Sequence, residues 1–174
     1  MRFALLLVVL ATPAFAQSAL KKHDTNAPID INAAKIEVQD KAGLSIWTGD
    51  VRMQQGDLSL AANQIKLHYF RKGETPTVTR MDAIGGVQLS SPSERATGSY
   101  GIYDVDHRLL TMTGNVVLNQ NQSVLRGQRL VIDLDSGRST LDGRTSGAAP
   151  GTPGQPAEGG RVSGRFVVPE RKTR

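Results

Sequence analysis

The feature that most constrains this chain is a β-pattern that occurs three times. Gly49, Gly85 and Gly114 each open a Gly-x-Val-x-(Met/Leu) run: Gly49-Asp50-Val51-Arg52-Met53, Gly85-Gly86-Val87-Gln88-Leu89 and Gly114-Asn115-Val116-Val117-Leu118. The copies stand 36 and 29 residues apart. The same steps carry Ala62 onto Gly98 and Gly127, and Ile65 onto Gly101 and Leu130. They also carry Leu67 onto Tyr103 and Ile132, and Tyr69 onto Val105 and Leu134. These last three columns lie two residues apart, so their side chains share one face of a strand. A shortened copy upstream sets Ile29, Ile31, Ala33, Ile36 and Val38 in register with Leu58, Leu60, Ala62, Ile65 and Leu67. One copy cannot cover its own apolar face, whereas stacked copies can. Repeats of this length built from strands predict an all-β, coiled or rolled architecture.

Turn signals recur about every ten residues, and no helical window competes. The spacing predicts a strand over 29–38 with a kink at Ala33-Ala34, then one over 44–48 that leads into Gly49. Gln55-Gly56-Asp57 reads as a hairpin turn between 51–54 and 58–70. Further strands are expected at 78–84, 98–105, 109–113, 124–134 and 139–141, with Pro92 in the 90–95 loop rather than in a central strand. The repeated glycine is expected where the chain must bulge or bend from one layer of the roll to the next, because only a residue without Cβ bends there freely.

Residues 1–16 read as a cleaved signal peptide: Arg2, an apolar run, and Ala14-Phe15-Ala16 before Gln17. The apolar run is too short to cross a bilayer core of about 30 Å as a helix. Residues 17–28 are a polar, flexible lead-in, 29–143 the β-domain, and 144–160 a Gly/Pro-rich linker. Residues 161–174 hold one possible extra strand (Val162, Gly164, Phe166, Val168) and a basic tail. The chain has no cysteine, which closes disulfide stapling and thiolate chemistry, so a hydrophobic core must hold it together. The net charge of +5 comes from Arg2 and from the tail beyond 143, while residues 17–143 balance 14 basic against 14 acidic side chains. A nucleic-acid binder carries its charge on the folded face, so no nucleic-acid partner is expected.

Candidate chemistry is sparse. Asp104-Val105-Asp106 and Asp133-Leu134-Asp135 each place two carboxylates on one strand face, a pattern that serves acid–base or metal work. In both, the apolar residue between them follows the repeat register, so the carboxylates point outward. His23, His68 and His107 have no second histidine at ligand spacing, and no metal or cofactor is expected. There is no Gly-x-Ser-x-Gly elbow. What remains is the apolar face itself. Periodicity alone favours an ordinary packed core over a groove for acyl chains and does not separate the two.

The runs Thr48-Gly49-Asp50-Val51 with Gly56-Asp57-Leu58-Ser59-Leu60-Ala61-Ala62-Asn63-Gln64-Ile65 resemble the first repeat of the OstA-like family, and Leu110-Thr111-Met112-Thr113-Gly114-Asn115-Val116 with Arg126-Gly127-Gln128-Arg129-Leu130 a later one. The resemblance covers roughly 29–143. It implies a slightly open β-jellyroll of stacked antiparallel strands and a periplasmic, non-enzymatic bridge that carries lipopolysaccharide. Lipid A acyl chains would lie inside and sugars outside, and the module would stack head to tail as a homo-oligomer and with the jellyroll domains of an LptC-like inner-membrane and an LptD-like outer-membrane partner. The positions it implies for the lipid-binding inner face are Val51, Met53, Leu58, Leu60, Ile65, Leu67, Val87, Leu89, Tyr103, Val105, Val116, Leu118, Leu130, Ile132 and Leu134. The partner edges would be Ile29, Ile31, Ile36 and Val38 at one end and Leu141, or residues 162–168, at the other. The Gly/Pro linker and Arg-rich end depart from the family pattern. Alternatives are a membrane-anchored LptC-like component and, from another class, a β-roll enzyme acting on envelope polysaccharide.

Overall fold

The computed structural model describes residues 23–143 and 161–165 except Lys72, Glu74 and Asn121. The expected signal peptide, residues 17–22 of the lead-in, the whole 144–160 linker and residues 166–174 lie outside the described residues. Ten strands form one sheet: β1 (Ile29–Asn32), β2 (Lys35–Gln39), β3 (Leu44–Gln55), β4 (Leu58–Arg71), β5 (Pro76–Ser90), β6 (Glu94–Asp104), β7 (Leu109–Gln120), β8 (Ser123–Asp133), β9 (Arg138–Asp142) and β10 (Ser163–Arg165). Strands β3 to β8 run as an antiparallel meander. β1 and β2 both pair with β3, and β9 and β10 both pair with β8. The sheet does not close on itself, so it keeps an edge at each end.

The segments on either side of each repeated glycine are halves of a single long strand. Between Thr48 and Val51 two residues of β3 oppose only Asn63 of β4, and the same two-against-one shift recurs at Gly85-Gly86 opposite Ser99 and at Gly114-Asn115 opposite Gln128. These are β-bulges. Both bulge residues have positive φ each time: Gly49 at 90° with Asp50 at 43°, Gly85 at 78° with Gly86 at 58°, Gly114 at 83° with Asn115 at 51°. The second position holds Asp, Gly or Asn, residues that enter this region at low cost. The glycine also yields space: a Cβ on Gly114 would lie 2.7 Å from Ser99 Oγ.

In line across the sheet, the bulges form a fold line that turns each long strand from one layer into another. Layer A holds residues 44–48, 64–71, 76–84, 100–104, 109–113 and 129–133, with β2 and β9 at its edges. Layer B holds 51–55, 58–62, 87–90, 94–98, 116–120 and 123–127, with β1 and β10 at its edges. The layers face each other. Beside the fold line a Cβ on Gly101 of layer A would come within 3.2 Å of Val87 Cγ1 of layer B, which is why the Ile65/Leu130 column carries glycine in its middle copy. Between them lies a continuous apolar core that includes Met53, Ile65, Met81, Met112, Leu130 and Ile132.

The ends of the chain differ from the sequence expectation. Residues 23–28, the described part of the polar lead-in expected at 17–28, touch the sheet: Gln55 Nε2 donates to the carbonyls of Thr25 (3.0 Å) and Ala27 (3.1 Å). The C-terminal edge uses both candidate segments. β9 covers layer A's half of β8, and β10 covers layer B's half through Ser163, Gly164 and Arg165 opposite Arg126, Leu125 and Val124. Val162 precedes that strand and is exposed, and Phe166 and Val168 lie outside the described residues.

Candidate functional site

Period-two alternation and the bulges together decide what points inward. Along layer A one register row runs Ile36, Trp47, Ile65, Ala83, Gly101, Met112, Leu130, Leu141, and the next runs Val38, Ser45, Leu67, Met81, Tyr103, Leu110, Ile132, Ser139. Val51, Met53, Leu58, Leu60, Ile65, Leu67, Val87, Leu89, Tyr103, Val116, Leu118, Leu130, Ile132 and Leu134 are all buried in the core cluster, and Val105 packs against it half-buried at the start of a turn. Met81, Ala83, Ala96, Leu110 and Met112 belong to the same face. Met81, Ala83, Leu110 and Met112 were missed because they fall on segments leading into the glycines, and Ala96 because a small residue stands in the Leu60 column of the middle copy. At the N-terminal edge Ile29 and Ile31 pack on the core, whereas Ile36 and Val38 are 46% and 56% exposed although their rows point inward. Among the described residues nothing covers the interior at that end. At the other end Leu141 packs against the core.

The two layers pack on each other through this cluster. Between the layers, Leu89, Ser91, Glu94, Ala96, Leu118 and Ile132 bound a gap of about 170 Å³, too narrow at every point for a water molecule. An acyl chain enters only if the layers part or side chains shift.

Opposite the fold line the strand ends form a mouth. Here a polar group sits inside. Gln55, 1% exposed, is the last residue of β3 in layer B, and its Oε1 accepts from the Tyr103 hydroxyl of layer A at 3.0 Å. His23 Nε2 lies 3.2 Å from the same oxygen. Burial pushes the Tyr103 hydroxyl pKa up, so it remains a donor. At the layer B ends of β6 and β7 Gln120 Nε2 donates to Glu94 Oε1 at 2.6 Å.

On the outer face of layer A, Asp82 is 8% exposed. Its Oδ1 accepts from Arg80 Nε and Nη2 (2.9 and 2.7 Å) and from Tyr100 OH (2.9 Å), and its Oδ2 meets His68 Nε2 at 2.9 Å. Burial by itself would raise the Asp82 carboxyl pKa, but the hydrogen bonds from Arg80, Tyr100 and His68 outweigh it and hold the group below the usual carboxylate range. The clamp ties β4, β5 and β6 together. No sequence motif announced it, because its members come from three strands.

Of the carboxylates considered for catalysis, Asp104 and Asp133 have local partners. Asp104 accepts from the backbone and ring of His107, and Asp133 from the backbone N–H groups of Asp135 and Ser136. Both carboxylates cap turns. Among the described residues no cluster of three His, Cys, Asp or Glu is placed to hold a metal.

Residues 30–138 match the model of the LptA/(LptD N-terminal domain) LPS transport protein family, which is more than half of the chain. The chain belongs to this family. An uncharacterized protein of Rhizobium meliloti is 28% identical over 95% of this chain and 87% of its own length. The lipopolysaccharide export system protein LptH of Pseudomonas aeruginosa is 26% identical over 67% of this chain and 72% of its own length. The solved structure of that LptH, described as the LptA-homologous periplasmic component of a lipopolysaccharide transport device, shares the fold with a TM-score of 0.69 and 21% identity, covering 84% of this chain and 99% of that one. The family description and LptH are those of lipopolysaccharide transport proteins. The match spans β1 to the start of β9, so the family signature and the two-layered roll coincide.

The Asp82 clamp sets one expectation for pH. The unfolded value of an aspartate is about 3.9. Because the folded value is lower, the contribution of the clamp is complete above that pH and is lost as pH falls through the folded value. Asp82→Asn should cost about 1–3 kcal/mol at pH 7, since Arg80 and Tyr100 lose a charged acceptor. Its unfolding midpoint should also fall less steeply than wild type between pH 4 and pH 2. Thermal melts followed by circular dichroism across that range check both, and parallel curves for the two proteins would refute the assignment.

Proposed function

We propose that this member of the lipopolysaccharide-transport family is a periplasmic bridge module. It shields lipid A acyl chains between its two layers and joins head to tail with further copies and with LptC-like and LptD-like jellyroll domains. The observation that carries this reading is a sheet folded over an apolar interior and never closed, leaving edges at both ends. Each methylene moved from water to such an interior gains about 0.8 kcal/mol. Unpaired backbone on β1 and β2 at one end and on β9 and β10 at the other suits strand addition by a neighbour. Ile36 and Val38, which extend inward rows yet are exposed, give that neighbour apolar surface to cover.

The test is photo-crosslinking to lipopolysaccharide from three positions. Leu67 and Ile132 are buried on the inner face, and the His68 side chain is 41% exposed on the outer face. Labelling is expected from the two inner positions and at background from the outer one. Equal labelling at all three, or none, would reject the interior as the lipid site.

A further inference from the structure

We infer that the segment 23–28 is a removable stand-in for the acyl linkages of the guest, seated on a carbonyl-reading subsite made by Gln55 and Tyr103. This inference rests on the proposed lipid-carrying interior and adds a site within it. Gln55 is a primary amide almost wholly buried in an interior that is otherwise mainly aliphatic. Such a group is expensive to bury unless its donors and acceptor are matched. Its two N–H groups are satisfied by two main-chain carbonyls, Thr25 O and Ala27 O, from a segment belonging to no strand, and its oxygen by the Tyr103 hydroxyl of the facing layer.

The position gives this arrangement a function. Gln55 ends β3 and Tyr103 lies next to the end of β6, so their bond joins the layers at the mouth, away from the fold line. A guest with hydrocarbon between the layers and polar groups outside must place its acyl linkages at that level. Those linkages are amides or esters, and each offers a carbonyl. They could replace the carbonyls of Thr25 and Ala27 without leaving the Gln55 donors bare. An alkyl ether could not. The seat also looks exchangeable: His23 Nδ1 is buried with no hydrogen-bond partner among the described residues, and residues 23–28 hold no strand pairing. The gap bounded by Leu89, Ala96, Leu118 and Ile132 is too narrow for a water molecule, so a chain seated there needs added space, and opening this latch is the step that makes it.

The absence of cysteine allows a clean test. A Cβ built on Gly56 lies 3.7 Å from Ala27 Cβ, within the range of a disulfide. In the full chain carrying Ala27→Cys and Gly56→Cys, oxidation locks the segment over the mouth and reduction frees it. Binding of fluorescent lipopolysaccharide should weaken about tenfold or more on oxidation and return on reduction, the equivalent of losing at least one satisfied buried hydrogen bond. Equal binding in both states would overturn the lid. Failure of the wild-type protein to bind at all would overturn the transport reading and this inference with it. For the carbonyl subsite, ester-linked and ether-linked forms of one glycolipid are compared. Wild type should prefer the ester by about tenfold, and Gln55→Leu should lose that preference through a gain in affinity for the ether, since no donor is left bare and no latch is held. Tyr103→Phe, which keeps the ring packing, should narrow the preference and serves as the readout if Gln55→Leu does not fold. No ester preference in wild type would refute the subsite.

Discussion

Ile132→Asp should leave no cooperatively folded protein. Ile132 is 1% exposed, lies between Leu110 and Ser139 in its row, and faces Leu89, Ala96 and Leu118 across the core. No cationic side chain shares that pocket wall. An aspartate there must be buried as an unpaired charge beside Glu94 or as a neutral acid in place of an apolar side chain, and either costs several kcal/mol. Removing the isoleucine packing adds about 2–5 kcal/mol. Together these approach the whole stability of an ordinary domain, about 5–15 kcal/mol. Loss of a sigmoidal melt in Ile132→Asp, with a cooperative melt in Ile132→Val only about 0.5–1.5 kcal/mol weaker, is the expected pair of results. A folded, stable Ile132→Asp protein would mean that the interior is wet.

Gly114→Ala should destabilise far more than Gly73→Ala. The two glycines have nearly the same backbone, φ 83° and 88°, so an alanine meets a comparable conformational penalty of about 1–3 kcal/mol at either. They differ in what surrounds them. A Cβ on Gly73 meets nothing within 4 Å, whereas on Gly114 it would stand 2.7 Å from Ser99 Oγ and 2.8 Å from Ser99 Cβ. Relief requires the third bulge to move, and the bulge sets which face of β7 and β8 points inward. Chemical denaturation should place Gly114→Ala at least about 2 kcal/mol below Gly73→Ala, in the range of an overpacked core site. Equal losses at the two sites would show that the fold line needs only the glycine backbone and not the missing Cβ.

The repeat was legible because it is local and periodic. The Gly-x-Val-x-(Met/Leu) runs correspond to the bulges, and the two-residue spacing of Ile65, Leu67 and Tyr69 placed the first two in the core and the third packed against it. The kink at Ala33-Ala34 corresponds to the break between β1 and β2, where Ala34 N donates to Gly49 O. The order of these short motifs also pointed to the family. Three things were not legible. Asp82 draws Arg80 from its own strand but His68 and Tyr100 from its two neighbours, so it shows only once register is fixed. Gln55 read as a turn residue, since the sequence holds no sign that Tyr103, 48 positions away, would meet it. Residues 23–28 read as loose because their polarity says nothing of a buried amide that needs their carbonyls.

The amino-acid order by itself determined that the chain is all-β, where its strands bend and which side chains of the repeated columns face inward, because alternation and glycine placement act within a few residues. Only the tertiary structure decided that the interior is packed tight, that an amide–phenol pair holds its mouth, and that the segment before β1 covers that pair. Those outcomes depend on how closely two layers approach and on which distant polar groups must satisfy one another once water is gone, and neither quantity is written in any local stretch.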